Sequence, residues 1–199
     1  MDKLEYTALG QTLYHCVLPN GLNIYVDERP EYGKQFAFFA TRYGGMDLRF
    51  RGEDGEWMDT PAGVAHFLEH KTFDTEDGNA LQRMAANGVN PNAFTSASVT
   101  GYYFDGVQGF EENLRTLLSF VSVPWFTPES VDKEQGIIGQ EIRMCEDDPN
   151  DEAYYRLLEA MYVYHPVRNR VAGTVESISH ITADTLYQCH RAFYRPGNI

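Results

Sequence analysis

The chain has 199 residues and 43% hydrophobic content, enough for one domain with a sizeable core or two small ones. Its net charge of −13 argues against a partner bound through a nucleic-acid backbone, which needs a basic patch, and favours neutral or basic ligands. Charged residues at 23%, with 13 Tyr and 12 Phe, exclude a disordered or collagen-like chain.

Residues 11–18 and 22–28 read as two short strands, and Asn20-Gly21 between them is a strong hairpin signal. Residues 35–42 form a third strand candidate, ended by Gly44-Gly45, and a loop with Gly52, Asp54 and Gly55 follows. A helix is predicted over 61–72, with Pro61 in its first turn and Thr60 or Asp59 as cap. Another is predicted over 78–87, where Leu81, Met84 and Ala85 recur at helical spacing and Gly88 is the stop. Residues 92–96 and 99–105, rich in Thr, Phe, Tyr and Val, read as a strand pair. Helices are expected over 110–122, 127–146, 151–163 and 182–193. Pro124 breaks the first two, Pro149 separates the second and third, and Thr182 and Asp184 open the last. This order predicts one α+β domain over residues 1–199, a largely antiparallel sheet with helices packed on it.

Three widely spaced cysteines, Cys16, Cys145 and Cys189, argue against a disulfide framework and fit a reducing compartment. The opening Met1-Asp2-Lys3-Leu4-Glu5 has no secretory pattern, and no apolar run approaches the ~20 residues of a membrane span. A cytoplasmic protein is expected. The acidic run from Glu146 to Glu152 reads as a solvated helix end. At the other end, Pro196-Gly197-Asn198 is a turn that leads onward, with Ile199 as the first residue of a strand. That predicts a fragment of a longer protein, lacking its last strands.

The chemistry concentrates in His66-Phe67-Leu68-Glu69-His70. On a helix, His66 and His70 project from one face and can hold a single zinc ion. Glu69 can reach a metal-bound water and act as general base, which is the inverted His-x-x-Glu-His order. Val64, Ala65, Phe67 and Leu68 make the helix apolar, and buried paired histidines beside a carboxylate need a reason that a metal supplies. The predicted helix 127–146 offers Glu134, Glu141 and Glu146 as a third ligand. Glu134 and Glu141, seven residues apart, share a face within about 20° with Ile138 and Cys145, flanked by Ile137 and Ile142. Glu146 points about 120° away from Glu134. Glu141 is therefore the expected third ligand and Glu134 a supporting carboxylate. His15, His165, His180 and His190 read as structural or surface residues.

These motifs resemble the pitrilysin, insulinase and mitochondrial processing peptidase family. The zinc helix and its Glu-x6-Glu partner lie among further landmarks: Asn20-Gly21-Leu22, Tyr43-Gly44-Gly45, Pro61 to Ala65, Asn92 to Ser96, Thr100 to Phe104, His165-Pro166, Gly173-Thr174 and Phe193 to Pro196. The likeness is strongest to bacterial members encoded as pairs, of which one partner keeps the full metal motif. The resemblance implies a pitrilysin-like metallohydrolase fold and a zinc metalloendopeptidase, with ligands His66, His70 and Glu141, Glu69 as base and Glu134 as supporting acid. It implies that a peptide or unfolded polypeptide adds as a strand at an edge near Asn92, Ala93 and Phe94. It also implies a homologous C-terminal half or paralogous subunit that closes the cleft. Two departures stand out: the His70 to Glu141 spacing is slightly short for the family, and nothing in these residues supplies the closing half. Two further readings remain, a binding or assembly subunit that partners an active homologue and a domain in which zinc is only structural. The unused Glu69 speaks against the last.

Overall fold

The computed structural model describes residues 1–52 and 55–199, so the expected loop position Asp54 lies outside them. The chain opens with β1 (Asp2–Tyr6), β2 (Gln11–Val17) and β3 (Asn23–Asp27), an antiparallel sheet in which Asn20-Gly21 makes the second turn. The sequence reading anticipates β2 and β3 but not β1, whose five residues are all exposed. Next come β4 (Gln35–Thr41) and the short hairpin of β5 (Arg49–Arg51) and β6 (Trp57–Asp59), which flanks the expected loop.

Helix α1 spans Val64–Thr72. The two-residue strands β7 (Asp74–Thr75) and β8 (Gly78–Asn79) follow, and α2 (Ala80–Ala86) starts two residues later than expected because Asn79 caps it, accepting from Gln82 N at 3.2 Å. Then come β9 (Asn90–Thr95), β10 (Thr100–Gly106) and α3 (Phe110–Ser122). Helix α4 (Pro128–Glu146) is opened by a Thr127/Ser130 capping box. Pro149 separates α4 from the next helix as expected, and it does so as the first residue of α5 (Pro149–Met161), where a missing N–H costs nothing. The short α6 (Val175–Ile178) and the final α7 (Ala183–Phe193, capped by Thr182) complete the order. Pro196–Asn198 form a 3-10 turn, and Ile199 packs against the core.

The sheet that positions the site has the order β4-β10-β9, antiparallel throughout. Alternation gives it two faces. Phe39, Tyr102 and Ala93 are paired across it on the face that meets the helices. Tyr102 is fully buried, with Phe39, Phe73 and Phe120 rings 5.7–6.3 Å away and its hydroxyl 2.6 Å from that of Tyr194. Phe67 and Leu68 of α1, Leu117 of α3 and Leu186 of α7 close this core. The other face carries Phe36, Phe38, Tyr103 and Phe94. A Cβ on Gly101 there would lie 2.7 Å from the Phe38 ring and 2.8 Å from Phe94, so only glycine fits between them. None of the described helices is long and apolar enough to cross a membrane.

Helix α4 carries two interior glycines between the site carboxylates, Gly136 and Gly139. A Cβ on Gly136 would meet nothing within 4 Å. Gly136→Ala is therefore expected to stabilise the fold by about 0.5–1 kcal/mol, because alanine has less backbone freedom to lose. A higher urea midpoint at unchanged slope is the readout.

Candidate metal centre

The start of α1 is set by a contact rather than by a polar cap. Asp59 ends β6, and Thr60 is engaged with the Leu48 carbonyl through its N–H (2.8 Å) and hydroxyl (3.1 Å). Neither caps the helix as the sequence suggested. The cap position is Gly63, at φ 97°, with Pro61 outside the helix. A Cβ there would lie 2.5 Å from the Ala172 carbonyl oxygen and 2.9 Å from Ile178 Cγ2. The segment that forces this approach ends in α6, and Ser177 Oγ donates to the Ala62 carbonyl at 2.7 Å. Sequence reasoning passed over α6; its signal was the Thr174-x-x-Ser177 capping box.

From that start, the helical period turns His66, Glu69 and His70 towards one region. His66 and Glu69 are buried, at 9% and 7% exposure, and the His66 and His70 rings lie 4.6 Å apart. Helix α4 crosses them with the face that carries Glu134, Ile138 and Glu141. Ile138 and Ile142 are buried, which fastens that face to the core, while Ile137, on the other flank, is 47% exposed. Cys145 is only half-buried.

Glu141 lies between the two histidines. Its Oε1 is 3.4 Å from His66 Nε2 and its Oε2 is 3.5 Å from His70 Nε2. Both separations exceed the 2.7–2.9 Å usual for a charge-assisted hydrogen bond. They are close to the separation of neighbouring donor atoms around one ion with ligands at about 2.0–2.1 Å, which is about 3.3–3.4 Å, and each histidine faces a different carboxylate oxygen. Donor atoms of His66, His70 and Glu141 all lie within 4.8 Å of one another, and they form the one group of this kind among the described residues. Nitrogen and carboxylate donors in this number suit zinc.

The surrounding contacts hold these groups in place. His70 Nδ1 is 3.0 Å from Glu134 Oε1, which leaves Nε2 to face Glu141. Nδ1 of His66 is buried without a hydrogen-bond partner among the described residues, a cost of about 1–3 kcal/mol carried at the site itself. Glu69 is not in the His-His-Glu group. Its Oε2 accepts from Thr95 Oγ1 at 2.9 Å, and Thr95 ends β9. Sequence reasoning missed Thr95, whose threonine reads as an ordinary strand residue. Glu146, the rejected carboxylate, is exposed at the end of α4.

Burial pushes the Glu69 carboxyl above its ordinary value, against the pull of His66, His70 and the Thr95 hydroxyl. Contact with His66 holds the Glu141 carboxyl low despite partial desolvation. Burial pulls His70 down, but the Glu134 bond and the charges of Glu69, Glu134 and Glu141 outweigh it and leave His70 raised.

Strand β9 lies at the edge of its sheet, with Asn92 and Phe94 exposed and Ala93 half-buried. Asn92 Oδ1 accepts from Ala93 N at 2.8 Å, which marks the Ala93 N–H as facing the free edge. By alternation Pro91 and Thr95 share that direction, and a proline costs no ladder bond there.

Residues 54–175 match the family Insulinase (Peptidase family M16). The chain is 48% identical over 198 residues to the uncharacterized zinc protease YmfH of Bacillus subtilis, covering 98% of this chain and 46% of that protein. A solved M16-like peptidase from Alicyclobacillus acidocaldarius superimposes with a TM-score of 0.91 at 43% identity, over 98% of this chain and 45% of its own. Pitrilysin shares the fold, with a TM-score of 0.77 at 15% identity, over 99% of this chain and 22% of its own. The chain thus spans about half the length of the first of these relatives, or less. With this α+β fold and this His-His-Glu group, the chain belongs to the insulinase family of zinc proteases, peptidase family M16.

Proposed function

We propose that this chain is the zinc-binding half of a metalloendopeptidase, with His66, His70 and Glu141 as metal ligands and Glu69 as general base. The observation that carries the reading is the placement of Glu141 between the two histidines, its Oε1 3.4 Å from His66 Nε2 and its Oε2 3.5 Å from His70 Nε2; these three residues would hold one zinc ion and leave a position for water or substrate. A bound zinc ion supplies a Lewis acid that lowers the pKa of its water towards about 7. Glu69 takes the proton of the attacking water, and the Thr95 hydroxyl holds one carboxylate oxygen so that the other is free for this task. Glu134 keeps His70 in the tautomer that offers Nε2.

The substrate class is an extended peptide or unfolded polypeptide. It adds to the free edge of β9, where the Ala93 N–H exchanges Asn92 Oδ1 for a substrate carbonyl. Asn92, Ala93 and Phe94 thereby bind substrate, and Thr95 ties the same strand to the base. Residues 1–199 form one domain of a longer protein, and a homologous half or paralogous subunit closes over the cleft. The sparse, unpaired thiols fit a reducing compartment such as the cytoplasm.

A second reading is a binding or assembly subunit that partners an active homologue. It predicts zinc without turnover, whereas the seating of Glu69 against Thr95 favours catalysis.

Metal analysis of the purified, zinc-reconstituted chain is expected to give about one zinc per chain. Less than a tenth of that would remove the reading. Zinc needs neutral His70, and the raised His70 pKa makes protons compete from a higher pH. Affinity should therefore fall as pH drops through a value above 6.5, the ordinary value for histidine. Glu134→Gln should move that fall to lower pH; a shift upward would contradict the sign.

A further inference from the structure

Lys71 follows His70 directly, yet the chemistry above does not use it. Its side chain is 1% exposed. An ammonium withdrawn from water costs several kcal/mol unless it is paired and hydrogen-bonded. Lys71 Nζ is paired with Asp74 of β7, which in turn accepts from Asn79 Nδ2 at 3.3 Å. It also donates to the Ser130 carbonyl, in the first turn of α4, at 3.2 Å.

That second contact bears on the metal centre. In an α-helix the carbonyl of residue 130 faces the amide of residue 134. Lys71 therefore grips α4 one turn before Glu134, while His70 grips Glu134 itself. The two helices run antiparallel here. Lys71, His70 and His66 meet Ser130, Glu134 and Glu141 in that order. A slide of α4 by one residue rise, about 1.5 Å, would be enough to spoil the fit of Glu141 between the two histidines. Apolar packing alone is non-directional and would resist such a slide weakly. A charged hydrogen bond to a single carbonyl resists it directly.

We propose that Lys71 is a positioning residue of the metal centre: its buried ammonium, anchored by Asp74, pins the first turn of α4 and so sets where Glu134 and Glu141 stand against His70 and His66. The inference rests on the zinc reading of those residues. Lys71→Met keeps the aliphatic stem and removes the ammonium. Its zinc affinity, measured by competition with a chromophoric chelator, is expected to fall about tenfold or more. The cobalt-substituted chain should lose the visible bands of a tetrahedral site. In a cycle with Glu134→Gln, the double variant should bind no more weakly than the weaker single variant, because both act through one register.

Unchanged affinity in Lys71→Met overturns the proposal. So does a double variant whose loss is the product of the two single losses, since Lys71 would then act independently of Glu134. If circular dichroism shows Lys71→Met unfolded, Asp74→Asn takes its place. A drop in affinity that is non-additive with Glu134→Gln supports the proposal, and wild-type affinity overturns it. Failure of the unaltered chain to bind zinc would instead sink the metal reading itself, an outcome distinct from normal binding in all variants.

Discussion

Glu69→Gln in the assembled enzyme is expected to lower peptide hydrolysis by about two to four orders of magnitude, the usual worth of a positioned general base. Zinc should remain bound at one equivalent. The two outcomes separate because Glu69 stands outside the His-His-Glu group yet beside both histidines in the same buried helix. Glutamine has the same shape, and its amide oxygen can still accept from Thr95 Oγ1. The substitution therefore removes the proton acceptor and little else. Cleavage of a quenched fluorescent peptide library, alongside metal analysis of the same sample, makes the measurement. Retained turnover would take the base role away from Glu69. Lost turnover with lost metal would show a structural effect instead.

Glu141→Gln is expected to weaken zinc binding by at least about a hundredfold, since loss of a direct donor should exceed the 10–100-fold typical of outer partners. Glu146→Gln should leave affinity within about twofold. The contrast tests tertiary placement, because the two residues lie five apart on the same helix and have the same charge. Glu141 approaches both histidine nitrogens, whereas Glu146 lies exposed at the end of α4 near Arg156 and Arg170. Glutamine retains one carbonyl donor but not the negative charge that offsets the ion. Equal losses in the two variants would mean that the acidic surface, rather than Glu141, attracts the metal. The reverse ranking would show that the wrong carboxylate had been assigned.

Most of the helices and the hairpin signals could be read directly from the chain, because they arise from local physics. Asn20-Gly21 turns a hairpin wherever two strands flank it, and α3 spans Phe110–Ser122 as its apolar period predicts. Errors arose where a distant segment decides. Thr60 looks like a helix cap, but the Leu48 carbonyl claims it, and α1 waits until Gly63 passes under Ala172. The helical period of α4 located Ile138 and Glu141 on one face; of the two isoleucines that flank it, packing buries Ile142 and leaves Ile137 47% exposed. Strand β1 leaves all five residues exposed and is held by its ladder to β2.

The site divides in the same way. That His66, Glu69 and His70 form one cluster follows from local geometry, because a helix of 3.6 residues per turn brings positions i, i+3 and i+4 together whatever surrounds it. So does the shared face of Glu134 and Glu141. Long-range packing alone makes this face meet α1, sets Glu141 3.4 Å from His66 Nε2 while Glu134 stops at His70 Nδ1, and brings Thr95 to Glu69 and Lys71 to the Ser130 carbonyl. Those contacts join residues 26 to 75 positions apart, beyond the range of any local periodicity. The packing of β9, β10, α1 and α4 around Tyr102 and Ile138 brings them within hydrogen-bonding and metal-binding distance.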